Sequence, residues 1–300
     1  MQHTQTPSLE IRSNIAVLGS GLGTIIDAVG FAGRGHTVRL QVAGTEEAAA
    51  LQRGQSGFDE PGIVQQLVAT QADDCLTFTT SLHRACHAAD VLLVWADEQE
   101  GLVAMLEEVA AELAVNERFQ LVAIRSLLTP GTMDRIVLPL LERVSGKQCG
   151  EDFGLAYSPE VIRPGVALAD FRNPVRMLVG TNDDSSADAM CSLYRWRTGS
   201  ICIESFATAE TARIADLLWQ NTKLRFAAEL GSLCLETGVS RRAVIDAFKR
   251  DSKQNISACY LVPDCPVPEV KDDRVKALLT AWERWREMPL PLGKMALVGG

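Results

Sequence analysis

Apolar residues fall along this chain in short unbroken runs, separated by longer stretches in which they recur every three or four positions. The first run, Asn14–Leu18 (NIAVL), leads directly into Gly19-Ser20-Gly21-Leu22-Gly23. Thr24–Gly33 follows with helical periodicity, and His36–Val42 has the pattern of a second strand. Thr45–Gly54 reads as a helix. Val91–Val94 (VLLV), Gln120–Ile124 (QLVAI) and Gly154–Ala156 are apolar at nearly every position, the signature of strands covered on both faces of a parallel sheet. Gly101–Ala114 and Met133–Ser145 supply helices between them, Arg176–Gly180 closes the strand series, and Ile201–Glu204 predicts an added edge. Strand, glycine turn, helix and strand in this order predict a Rossmann-like, doubly wound α/β sheet.

From Thr208 the texture changes. Neither Gly nor Pro occurs until Gly231, and Ile214, Leu217, Leu218 and Leu224 recur on overlapping faces, which predicts one long helix over 208–237, open to interruption at Gly231. Ser240–Lys249 predicts a second helix behind a Ser cap. Cys259–Glu269, with three prolines and two cysteines, reads as loop; Asp273–Glu287 reads as helix and Lys294–Val298 as a last strand. The pattern divides the chain into a sheet domain, 1–204, and a helical domain, 205–300.

Composition adds exclusions. At 300 residues, 47% hydrophobic and 22% charged, the chain is an ordinary globular one whose core needs no staples. A net charge of −9, with no basic cluster longer than a pair, argues against nucleic acid and against anionic membranes. Apolar runs such as Val91–Ala96 are far shorter than the roughly 20 residues of a spanning helix. Met1–Arg12 is polar and lacks the apolar stretch of a signal peptide, so the sequence predicts a cytoplasmic protein. Eight cysteines without a C-x-x-C pair predict reduced, mostly buried thiols. His83 and His87 share a helical spacing around Cys86, but no further ligand matches it, and no metal is assigned.

Glycines after a first strand let the backbone approach a pyrophosphate, which then rests on the N–H groups of the following helix. Gly19, Gly21, Leu22, Gly23 and Thr24 are therefore candidate contacts for NAD or NADP, with the third glycine of the usual fingerprint displaced to Gly23 and Thr24 in its place. The acidic residue that binds the ribose hydroxyls at the end of the second strand is missing: that strand ends Gln41-Val42-Ala43-Gly44.

Several segments, in order, resemble the nucleotide-sugar dehydrogenases that oxidise UDP-glucose, UDP-sugar amides or GDP-mannose at the sugar C6 with NAD. Asn14–Val38 resembles their strand, glycine loop, helix and G-H-x-V. Gly57–Leu67 (GFDEPGIVQQL) resembles their E-P-G-L segment, and Arg125–Thr132 (RSLLTPGT) is similar to K-S-T-V-P-P-G-T. Ser158–Gly180 (SPEVIRPGVALADFRNPVRMLVG) is similar to N-P-E-F-L-R-E-G-x-A-x-x-D-F-x-x-P-x-R-x-x-x-G, and Thr222–Gly238 to the family's long dimer-forming helix. The resemblance implies a Rossmann-like domain, NAD, and a homodimer through the helix 208–237. It also implies a second α/β domain closing over the nucleotide, of which Gly293–Gly300 resembles only the first strand.

The family's chemistry is not carried over residue by residue. Its nucleophilic cysteine lies on P-G-x-G-F-G-G-x-C-x-P-K-D; the corresponding stretch here, Pro263–Asp272, has lost every glycine, and Cys265 is its remaining thiol. The catalytic lysine falls on Arg213 and the asparagine four residues later on Leu217; the threonine that positions water falls on Leu127. Glu160 keeps the first glutamate of P-E-F-L-R-E-G, while Pro164 replaces the second. The ribose-binding aspartate falls on Val42, and Trp95-Ala96-Asp97-Glu98-Gln99 replaces V-P-T-P, with Trp95 placed to fill cofactor space. The candidate catalytic groups are thus Glu160, Arg213 and Cys265, with Ser126 a further candidate at the cofactor. Three readings stay open: a degenerate homologue serving as a binding or partner subunit, an NAD(P)-dependent oxidoreductase for a smaller substrate, and a pocket of Glu160, Arg163 and Arg213 turned to non-redox chemistry.

Overall fold

The computed structural model describes residues 12–250 apart from 97, 161, 197 and 198, and in addition residues 273, 276, 277 and 280. Cys265, the expected loop 259–269 and the expected terminal strand lie outside these residues. The strands are β1 (Asn14–Leu18), β2 (Thr37–Gln41), β3 (Leu76–Thr79), β4 (Val91–Val94), β5 (Leu121–Ile124), β6 (Gly154–Tyr157), β7 (Arg176–Gly180) and β8 (Ser200–Glu204). They form one sheet in the order β3-β2-β1-β4-β5-β6-β7-β8, parallel throughout except where β7 meets β6 through the pair Tyr157 and Gly180. The order reverses between β1 and β4. This reversal opens the crevice in which doubly wound sheets bind ligands.

Alternation along the central strands feeds two cores. Ile15, Val17, Val91, Leu93, Leu121 and Ala123 face one side; Ala16, Leu18, Leu92, Val94, Val122 and Ile124 face the other, and all are buried. That is why these strands are apolar at every position rather than at every second one. On the first side lie α1 (Leu22–Ala32), α3 (Ile63–Ala72), α7 (Ala167–Arg172) and α8 (Asp184–Leu193). On the second lie α4 (Leu82–Cys86), α5 (Gln99–Val115) and α6 (Leu138–Ser145). The expected helix over 133–145 is in fact a π-helical turn, Met133–Val137, feeding α6, with a proline in the first turn of α6.

The long helix α9 (Phe206–Thr237) follows Ser205, whose hydroxyl accepts from the Thr208 N–H (3.3 Å). It runs through Gly231 without a break and ends at Gly238 in the left-handed conformation. Phe206 and Ala209 join the second core, so the first turns of α9 pack on the sheet. α10 (Arg241–Phe248) turns back along its far end, stacking Phe248 against Phe226.

Candidate functional site

The glycine turn has the expected backbone. Gly19 (φ +113°) and Gly21 (φ +98°) occupy conformations open to glycine, and a Cβ at Gly21 would meet nothing within 4 Å. The first turn of α1 carries no acidic residue, leaving its N–H groups suited to an anion. The Thr24 hydroxyl donates to the Gly21 carbonyl (2.8 Å), which spends it within the turn. Leu22 is half-buried and packs on the first core.

Trp95 occupies the ground next to this turn. Its backbone N–H donates to Leu18 O (2.9 Å), extending β4 alongside β1, and its ring lies against the first turn of α1. A Cβ on Gly23 would come within 2.6 Å of that ring, and one on Gly19 within 2.2 Å of the Trp95 carbonyl. The indole N–H donates to Asp27 Oδ2 (2.7 Å) one turn further along the helix. The ring therefore lies at the junction of β1, β4 and α1, at the mouth of the crevice.

Asp27 belongs to a buried polar network. Arg125, directly after β5, grips it with two prongs, Nε to Oδ2 (2.9 Å) and Nη2 to Oδ1 (2.8 Å), and neither side chain is exposed. The other guanidinium donors reach Ser158 O (2.6 Å), Tyr194 Oη (2.9 Å) and Glu160 Oε2 (2.7 Å), so every N–H is used. Burial opposes this charge, but Asp27, Tyr194 and Glu160 outweigh it and hold the guanidinium firmly protonated. Ser126, the next residue, is buried and accepts the Ala96 N–H (2.6 Å). The hollow beside it measures about 10 Å³, room for one water.

Beyond Glu160 opens a cleft of about 450 Å³ between the loop after β6, strand β7 and helix α9. Glu160, Arg163 and Arg213 all line it, and the charges of the first two are already assigned. Glu160 is held by Arg125; Arg163 pairs with Asp170 (2.5 Å) and Arg176 with Asp216 (2.7 Å). Arg213 is different. It is 7% exposed, its Nε and Nη1 have no hydrogen-bond partner, and burial lowers its pKa, offset in part by Tyr157, Asp216 and Glu160. Next to it, Leu127 packs against Ile214 and Leu217 in a small apolar cluster.

Two buried carboxylates hold the loops around this cleft. Glu60 accepts the N–H groups of Gly165 (2.7 Å) and Leu168 (3.1 Å), fixing the segment that carries Arg163. Glu210 on α9 accepts those of Gly131 (2.5 Å) and Met133 (2.8 Å), fixing the turn after Ser126. Burial raises the Glu210 carboxyl above the ordinary glutamate range, against the pull of these N–H bonds. Neither role was read from the sequence. The thiols of Cys86 and Cys149 are pushed up to about 12, chiefly by burial, and are poor nucleophiles. Among the described residues no group of three or more His, Cys, Asp or Glu converges on a metal position, and no helix is long and apolar enough to cross a membrane.

The sheet order, the glycine turn at its reversal and the adjoining cleft define the class: a dinucleotide-dehydrogenase scaffold. Residues 13–197 match the NAD binding domain of the UDP-glucose/GDP-mannose dehydrogenase family, and the chain belongs to that family. It is 30% identical over 262 residues to the GDP-mannose 6-dehydrogenase of Azotobacter vinelandii, covering 83% of this chain and 59% of that one. Among solved structures it is similar to a UDP-glucose dehydrogenase from Pyrobaculum islandicum (TM-score 0.78, 25% identity, 86% of this chain and 60% of that one). It is similar also to a GDP-mannose dehydrogenase from Pseudomonas aeruginosa (TM-score 0.76, 25% identity, 92% and 66%). The chain thus spans about three fifths of the length of the relatives it matches.

The family's NAD can be tested against these residues. The glycine turn and the start of α1 suit a pyrophosphate. At the end of β2 Val42 is buried, but α2 (Thr45–Gln52) brings a carboxylate the sequence reading missed: Glu47 accepts the Ala43 N–H (3.0 Å). Trp95 is the departure: its ring lies against Gly23 in the first turn of α1 and its indole N–H is held by Asp27, so it takes up space beside the glycine turn.

Proposed function

We propose that this chain is a family member in which ligand binding has replaced the NAD-dependent oxidation at sugar C6, and that it acts as a binding or partner subunit. The observation that carries this reading is the apolar cluster at Arg213. The family's water-positioning threonine and its asparagine correspond to Leu127 and Leu217, and Leu127 packs against Leu217 and Ile214. A guanidinium replaces the family's lysine alongside them; it holds its proton, and leucines cannot stabilise a developing oxyanion. The Trp95 ring packed beside the glycine turn points the same way.

Thermal unfolding with NAD and with NADP tests the proposal. A cofactor at a hundred times its Kd stabilises a fold by about 2.7 kcal/mol. The expected result is no shift with either, and no NADH absorbance on addition of UDP-glucose or GDP-mannose; saturable stabilisation with reduction of the cofactor overturns it. A second reading, an NAD(P)-dependent oxidoreductase for a smaller substrate, has the open glycine turn and Glu47 in its favour, and the same measurement decides for it.

Assembly is part of the proposal. Helix α9 leaves Leu233 and Leu235 more than half exposed, which supports a homodimer or a partner chain at its far end. Light scattering after size exclusion is expected to give twice the chain mass of 32.6 kDa, and a lone monomer removes the homodimer.

A further inference from the structure

We infer that the outer edge of β8 is a dimer surface, on which the same strand of a second copy of this chain pairs antiparallel about Cys202. β8 ends the sheet, and among the described residues no strand lies beyond it. The Glu204 carbonyl accepts the N–H of Thr181, the residue after β7 (2.9 Å). Backbone groups point to alternate sides along a strand, so Ser200, Cys202 and Glu204 are directed at β7 while the N–H and C=O groups of Ile201 and Ile203 face outward. Edge strands that avoid pairing carry Lys, Pro or a bulge. Ser200–Glu204 (SICIE) has no Lys and no Pro, and its register with β7 runs unbroken from the Arg176–Ser200 pair to the Gly180–Glu204 pair.

The strand is also its own complement. Pairing about Cys202 sets Ile201 opposite Ile203 of the second copy, and Ile203 opposite Ile201, as two hydrogen-bonded pairs that use all four outward N–H groups. The four isoleucines then form one apolar stripe on the face where Ile201 packs on the first core and Ile203 is 44% exposed. Cys202, which packs on the second core, meets its own copy as the non-hydrogen-bonded pair between them, with Cα atoms about 4.5 Å apart. Each Glu204 falls opposite a Ser200, so no like charges face each other directly. Five residues are far fewer than the roughly 20–30 per side of a standard interface, so this dimer forms only as concentration rises. The inference rests on the homodimer proposed above and gives it a different surface, which leaves the far end of α9 for a partner chain.

The experiment is oxidation of the full chain with diamide, which takes up the two thiol hydrogens as a disulfide forms, read on a non-reducing denaturing gel. Cα atoms about 4.5 Å apart lie within the span of a disulfide. A band at twice the chain mass is expected, growing with protein concentration and removed by dithiothreitol. Cys202→Ser should abolish it. Ile203→Lys should reduce it about fivefold or more with Cys202 in place, because the dimer contains the substituted pair twice, and Ile203→Val should keep it. Leu233→Lys combined with Leu235→Lys should leave it unchanged. No covalent dimer, one that persists in Cys202→Ser, equal yields from wild type and Ile203→Lys, or loss of the band in the Leu233 and Leu235 variant each overturns the inference. Light scattering of the untreated chain decides separately whether a homodimer exists through another surface.

Discussion

Asp27 and Arg125, 98 residues apart in sequence, form a two-pronged ion pair from which solvent is excluded. Such a pair is costly to break from one side, because the survivor is left charged in an apolar surrounding. Arg125→Met is expected to destabilise the fold by about 3–5 kcal/mol. Asp27→Leu combined with Arg125→Met is expected to recover part of that loss, the rest remaining with Glu160 and the Trp95 indole N–H, which lose their partners. Urea unfolding checks both, and equal losses for the single and the double variant would show that the pair itself is not the source.

The indole of Trp95 leaves no room for a methyl group on Gly23. Gly23→Ala should therefore cost about 1–3 kcal/mol, the usual penalty of overpacking. The penalty should shrink when Trp95→Ala is also present, as a double-mutant cycle reports for groups in contact. Trp95→Ala alone should raise affinity for NAD; an unchanged isotherm would mean that the indole is not what keeps the dinucleotide out.

Glu60 holds two backbone N–H groups more than a hundred residues away. Glu60→Gln keeps the shape and loses the charge-assisted acceptor, at an expected cost of about 1–3 kcal/mol. Amide exchange at Gly165 and Leu168 should accelerate selectively. Acceleration spread evenly over the sheet would instead indicate a global effect.

Glu210 should give the stability curve an unusual slope. Its carboxyl is raised in the fold by burial, so between the ordinary glutamate value and the raised one the folded state binds more protons than the unfolded state. Stability contributed by this group therefore grows as pH falls from neutral through that window, and is lost as pH rises through it. The variant Glu210→Gln should show a shallower gain on acidification than the wild type in denaturant titrations across pH; parallel curves would remove Glu210 as the cause.

The sheet was legible because its central strands are apolar at every position, and β1, β4 and β5 fall within a residue of the expected limits. β3 was not seen: it is four residues long and only Leu76 in it is fully buried, so no run stands out. Glu160 and Arg163 were recognisable from their places in a quoted segment and Arg213 as the position matched to the family's lysine, and all three line one cleft. Asp27 was not singled out, although an aspartate amid Ile25, Ile26, Ala28 and Val29 was the available signal; its purpose shows only when β5 delivers Arg125 to it. Glu60 and Glu210 were equally silent, since the groups they bind are backbone N–H and carry no side-chain signature.

At about 1.5 Å per residue, the 32 residues of α9 measure about 48 Å. Its first three turns, as far as Leu217, are anchored to the sheet and bear Arg213, while Leu233 and Leu235 lie at the other extremity. Contact made by another chain at that distal end would be remote from the guanidinium. Assembly at that end and the packing around Arg213 can accordingly be perturbed separately on the same molecule, one by dilution and the other by substitution near the sheet.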